Sequence, residues 1–189
     1  MGLEFELKFA ATPEVLHALA QEFGDLTPIS METTYFDTAN RTLSSRKMTL
    51  RRRFESGESV CTLKTPSDSY GRGEWDVHAT WSENTLQQLF AAANIAPVPF
   101  DDLSPVCGAR FQRLAKQIEL PDCTVEIALD EGILHGGGKE IPLCEVEVEL
   151  KEGPQEAVIR WATALSNLYG LNPERRSKFK RALALAEGA

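Results

Sequence analysis

Long apolar runs are missing from this chain. No stretch approaches the roughly 20 residues that a membrane-spanning helix needs. The first residues, MGLEFELKFA, lack a basic segment followed by an apolar one, so no secretory signal is expected. Cysteine is scarce: Cys61, Cys107, Cys123 and Cys144 stand at spacings that fit neither a zinc finger nor a redox pair. Reduced, mostly buried thiols in a cytoplasmic protein are the expectation. The three histidines, His17, His78 and His135, show no ligand spacing, which leaves histidine chemistry without a candidate. Bases are outnumbered, 20 Lys and Arg against 28 Asp and Glu, so nucleic acid is not an expected partner. Repeats and low-complexity linkers are absent too, and 189 residues at 42% hydrophobic and 25% charged read as one soluble domain. GGGK at 136–139 lacks the G-x-x-x-x-G-K-[ST] spacing of a phosphate loop and reads as a hairpin turn.

What the chain has in quantity is alternation. In EFELKF, Glu4, Glu6 and Lys8 alternate with Phe5, Leu7 and Phe9. On a strand this puts three charges on one face and three large apolar groups on the other. The pattern returns with Arg51 and Arg53 in TLRRRF, Lys64 in SVCTLKTP, and Arg72, Glu74 and Asp76 in RGEWDV. It returns again with Glu126 and Asp130 in TVEIALDE, and with Glu145, Glu147 and Glu149 in CEVEVEL.

Strands are expected over about 4–9, 27–38, 48–55, 58–66, 72–80, 108–119, 123–134 and 139–150. Helices are expected over about 12–24, started by Thr12-Pro13-Glu14, and over 82–94, 154–169 and 174–187. Residues 39–47 read as a polar connection with one helical turn, and the Pro-rich 95–106 as a loop. The fold class is α+β, with about eight mainly antiparallel strands.

For one such strand the simplest reading is a sheet with one wet face. Two features argue against it for the set. The charges are segregated by sign: acids on the first and last strands, bases on the strands holding Arg51, Arg53 and Lys64. And about eight strands would leave a large face uncovered, whereas closing the sheet into a barrel removes its edges. The charged face then lines a wet tunnel, and the apolar face lies outside under the helices. Carboxylates there could hold a hard divalent cation, and Arg and Lys could hold phosphate oxygens. Arg52, at opposite parity to Arg51 and Arg53, belongs outside.

These residues resemble the CYTH superfamily, the triphosphate tunnel metalloenzymes. The resemblance rests on an ordered series: E-x-E-x-K at 4–8, YFDT at 35–38, LRRR, TLKTP, RGEWD, FQR with Arg113, VEIALDEG, CEVEVEL and SKFKR. It covers nearly all of the chain, read as one domain over 1–189, and is nearest to the bacterial inorganic triphosphatases. Many of those carry a C-terminal CHAD domain, so the chain is either a stand-alone enzyme or a piece excised from a longer one. The resemblance implies an eight-stranded antiparallel β-barrel with helices packed outside, and metal-dependent hydrolysis of tripolyphosphate to diphosphate and phosphate. It implies Mg²⁺ or Mn²⁺ held by Glu4, Glu6, Glu145 and Glu147, with Glu74 and Asp76 assisting and Glu126, Asp130 and Glu149 as further candidates. Lys8, Arg51, Arg53, Lys64, Arg72, Arg113, Lys178 and Arg181 would bind the triphosphate. Glu4, Glu6, Lys8, Glu145 and Glu147 would form the catalytic set. Arg110 and Arg113 lie at opposite parity, and the pattern leaves open which of them faces inward. Thiamine triphosphatases of the family carry an aromatic residue just before LRRR; Met48-Thr49 stand there instead. The alternatives are a nucleotide or thiamine triphosphatase, a class IV adenylate cyclase, and a non-catalytic binder of polyphosphate or nucleotide. Neither a membrane nor a nucleic-acid partner is expected.

Overall fold

In a computed structural model the described residues are 2–3, 5–66 and 72–188, with Gly2, Leu3 and Arg72 described by backbone alone. Glu4 lies outside them. The strands are β1 (Gly2–Leu3), β2 (Glu6–Ala10), β3 (Thr27–Thr38), β4 (Thr49–Glu55), β5 (Glu58–Pro66), β6 (Arg72–His78), β7 (Leu103–Glu119), β8 (Thr124–Gly136), β9 (Lys139–Glu152) and β10 (Asn172–Pro173). The helices are α1 (Pro13–Phe23), α2 (Thr42–Ser45), α3 (Glu83–Ala92), α4 (Gln155–Tyr169) and α5 (Lys178–Glu187). Among the described residues, no helix is long and apolar enough to cross a membrane.

All strands join one antiparallel sheet in the order β1-β6-β5-β4-β3-β7-β8-β9-β2-β10. The strand expected over 4–9 is seen as β2, which pairs with β9; a further short strand ahead of it, β1, pairs with β6, at the far side of the order. β7 starts earlier than expected and takes in Pro105. A register shift between Tyr35 and Phe36 makes this possible, since their partners are Cys107 and Pro105. Such a bulge is a place where a strand tolerates proline.

Parity sorts the two faces as expected. Phe9, Ile127, Leu129, Val146 and Val148 form one core with Leu16 and Leu19 of α1 and Val158 and Ala162 of α4. Leu50, Cys61 and Leu63 form another with Leu86, Leu89 and Phe90 of α3, joined by Trp75 and Val77. Arg52 lies over the Phe54 ring on this face, 4.9 Å from its centre. Local chemistry holds the helices. Thr12, Ser82 and Ser177 accept the N–H of Val15, Thr85 and Lys180 in turn, and Lys116 Nζ donates to the carbonyls of Phe23 and Gly24 at the end of α1. In YFDT, buried Asp37 accepts the N–H of Thr38, Leu43 and Ser44, which anchors α2; the motif's acid is structural here.

One helix departs from the expected arrangement. Phe179 and Ala182 of α5 pack on Met31, Tyr35, Ala109, Phe111, Leu134 and Leu143. These share parity with Thr33, Arg113, Asp130 and Glu145, so α5 lies on the charged face and not outside with the other four. Gly136 is what lets it come so close: a Cβ there would stand 2.5 Å from the Ala182 carbonyl oxygen. The GGGK hairpin turns at Gly137 and Gly138, both at positive φ (58° and 74°), beside the Gly136–Lys139 pair. α5 also begins later than expected, because Asn172 and Pro173 pair with β2 and Ser177 supplies the cap.

Candidate active site

The β7–β9 part of the charged face gathers three acids and three bases. Registered pairs Arg113–Asp130 and Asp130–Glu145 place Arg113, Asp130 and Glu145 side by side, with Glu147 two residues along β9. Arg113 donates to both oxygens of Asp130 at 2.7 Å and to Glu147 at 2.5 Å. Lys178, at the first position of α5, donates to Glu147 at 2.7 Å and to Glu145, and lies 2.8 Å from Asp130. Arg181, one turn on, donates to Glu145. Glu145 is 0% exposed and Lys178 6%. Arg113 is thereby the residue of its pair that enters the cluster, while Arg110 pairs with Glu140 on the exposed surface.

Burial at this depth disfavours charge, and neighbours decide whether it survives. Burial would lower the Lys178 ammonium, but Glu147, Asp130 and Glu145 outweigh it and hold its pKa above the ordinary lysine value. Burial is again outweighed at Arg113, by Glu147 and Asp130. At Glu147 burial acts upward and loses to Lys178 and Arg113, so its pKa falls below the usual carboxylate range. Glu145 moves the other way: burial dominates over Lys178 and Arg181 and raises it.

Three carboxylate oxygens, one each from Asp130, Glu145 and Glu147, lie within 4.8 Å of one another. The donors are all hard oxygens, so the set fits Mg²⁺ or Mn²⁺. Glu145 and Glu147 were expected as metal ligands. Here they group with Asp130, whereas Glu6 lies one step along, in register with Glu149, which in turn pairs with Glu126. Lys151 joins that outer row at 2.9 Å from Glu149 and 3.6 Å from Glu126. Lys8 is in register with Glu147 and 3.2 Å from Glu6.

The β4–β6 part of the same face is basic. Arg51 and Lys64 both reach Glu74, at 3.2 and 2.8 Å. Arg53, 8% exposed, donates to the Thr33 hydroxyl at 3.2 Å and to Glu55 at 3.4 Å. Burial, then Arg51 and Arg113, pull its pKa down. Asp76 is exposed and accepts from Thr62 at 2.5 Å, apart from the three-acid group. The Arg72 side chain and Glu4 lie outside what is described. Thr33 and Thr62 were not singled out from the sequence, although both stand at charged-face parity. Phe111 was missed too; it lies beneath Arg113 and Lys178, 5.8 and 5.4 Å from ring centre to charge.

Residues 2–183 match the model of the CYTH domain family. The chain belongs to the CYTH domain family. An inorganic triphosphatase from Haemophilus influenzae is 29% identical over 192 residues, 96% of this chain and 54% of the relative, so this CYTH chain spans about half of that relative's length. The CYTH fold is also seen in solved structures of low identity. One is a protein from Hippeastrum assigned as an adenylyl cyclase and described as having a dominant triphosphatase activity: TM-score 0.67, 19% identity, covering 100% of this chain and 96% of that one. The PH1819 protein from Pyrococcus horikoshii gives 0.63 at 21% identity, covering 95% and 98%.

Proposed function

We propose that this CYTH domain is a metal-dependent hydrolase of a small triphosphate, with inorganic tripolyphosphate as substrate and Mg²⁺ or Mn²⁺ as cofactor. The observation that carries the reading is the division of one sheet face into a three-carboxylate group beside Lys178 and a basic wall in which Arg53 is buried with too little negative charge around it. A hydrolase named inorganic triphosphatase among the relatives supports it. The reading includes a closed barrel with the charged face as its lumen. The support is that β1 and β2, two residues apart in the chain, pair with β6 and β9 at opposite sides of the sheet order.

In this reading Arg51, Arg53 and Lys64 bind and orient the phosphate chain and offset charge on the departing diphosphate. Thr33 fixes the Arg53 guanidinium by accepting from Nε. Asp130, Glu145 and Glu147 hold the divalent cation, with Glu6 on the adjoining strand, and Glu4 of the same sequence motif, as further ligands. Bound there, the cation would polarise phosphoryl oxygens and help activate water. Inorganic triphosphate is favoured over a nucleotide because two aromatic rings described on this face, Tyr35 and Phe111, are already engaged. Tyr35 is 3% exposed and packs on Phe179 at 5.1 Å, and Phe111 is 6% exposed beneath its two cations. The four cysteines are free, in keeping with a reducing compartment.

The test is phosphate release from tripolyphosphate, ATP and thiamine triphosphate, each with and without Mg²⁺ or Mn²⁺. Release from tripolyphosphate that needs metal and exceeds the other two is the expected result. Binding of all three with no release would make the domain a binder instead.

A further inference from the structure

Lys178 stands where a cation bound by the three carboxylates would have to stand. Its ammonium contacts Asp130, Glu145 and Glu147 at once, and these are the same three acids whose oxygens converge within 4.8 Å. A small divalent cation needs oxygens at about 2.0–2.6 Å, pointing at a common centre. The ammonium already takes an oxygen from each acid, so the two cations call on the same lone pairs. They also repel one another in a setting with little water to screen them, since Lys178 is 6% and Asp130 0% exposed. Arg113 is a different case. It holds both oxygens of Asp130 with two hydrogen bonds, sharing Oδ2 with Lys178, and reaches Glu147 through the oxygen that Lys178 does not use.

We propose that Lys178 is the resident counter-ion of the carboxylate group and excludes a divalent cation until it withdraws. This rests on the metal-site reading above and changes the part that Lys178 plays in it. The lysine holds two posts in turn: on the carboxylates before metal binds, and on the phosphate chain afterwards. A triphosphate offers the displaced ammonium new oxygen partners, so the anion and the divalent cation strengthen each other's binding through one side chain. By linkage the coupling works equally in both directions. Outside this contact α5 is held to the charged face by Arg181, which donates to Glu145, and by the apolar Phe179 and Ala182, so the lysine can swing on its four-carbon stem while the helix stays seated.

The experiment is Mn²⁺ binding by titration calorimetry, with no phosphate compound present, on the wild-type chain, Lys178→Met and Lys178→Arg. Removing the charge should tighten Mn²⁺ about tenfold or more, and Lys178→Arg should bind like wild type. Equal or weaker binding by a folded Lys178→Met overturns the proposal and leaves the metal site standing. No Mn²⁺ binding by any of the three overturns the metal-site reading and this proposal with it. Should Lys178→Met not fold, wild type alone decides: saturating Mn²⁺ should speed amide exchange in the first turn of α5, and slower exchange there overturns the proposal.

Discussion

Arg53 and Arg113 are the same residue type, on the same sheet face, the first buried and the second half-buried. Their surroundings push them in opposite directions. Arg113 closes a ring of carboxylates, and its charge is held more firmly than in water. Arg53 has a hydroxyl, one partly exposed glutamate and two like charges for company, and its charge is held less firmly. A buried cation whose partners satisfy it is part of the structure. A buried cation left short of negative charge is poised for an anion. One face thus carries an internally balanced region and a less balanced one, and in the proposed function the second is where the polyanion would bind.

The comparison is broken most severely at Glu147, which joins Arg113 to Lys178. Glu147→Gln should lower metal-dependent phosphate release from tripolyphosphate about a hundredfold or more, read as kcat at saturating metal. Full activity would remove Glu147 from the site. Next comes the pair of arginine deletions. Arg113→Met leaves Asp130 and Glu147 with Lys178 as their shared cation and should cost about 3–5 kcal/mol in urea unfolding. Arg53→Met removes a poorly compensated charge and should lie within about 1 kcal/mol of wild type. It should nonetheless weaken tripolyphosphate binding about tenfold or more. Equal destabilisation by the two variants would erase the contrast. A smaller effect is expected at Gly136→Ala. Pushing α5 off the sheet should cost about 1–3 kcal/mol, by the usual scale of overpacking, and should expose Cys107, whose thiol lies near the Phe179 carbonyl, to alkylation. Smallest is an alkaline effect at Cys107 itself. Burial pushes its thiol up to about 12, above the unfolded value of about 8.5. A raised thiol adds stability that is whole below the unfolded pKa and is lost as pH rises through the folded one. Urea midpoints should therefore fall from pH 8.5 upward in wild type and less steeply in Cys107→Ala.

Much of this face was legible because strand parity is rigid. Arg51, Arg53, Lys64, Glu145 and Glu147 fall on one side whatever the neighbouring strands do. Parity says nothing about register or about what lies above a strand. It therefore could not choose Asp130 rather than Glu6 as the third acid of the group, because that depends on how β8, β9 and β2 are offset. The expected fold put every helix outside, although the resemblance assigned Lys178 and Arg181 of α5 to the site; the close seat of α5 on the charged face depends on the missing side chain at Gly136. Asp37 was a motif residue with no visible task until its three backbone partners appeared. The change of partner strand between β1 and β2 was also unreadable, since EFELKF alternates without a break.

That change of partner has a consequence for how the chain reaches its native state. β2 pairs with β9, so Glu6 meets Glu149 only after most of the chain has been made. Until then β9 and β6 both present unpaired edges, and the segment that covers both is the first to be synthesised and the last to be placed. Pairings so distant in sequence slow folding, and open edges invite pairing with other chains in the meantime. The nine residues from Gly2 to Ala10 thus act as the latch between two distant parts of the sheet order.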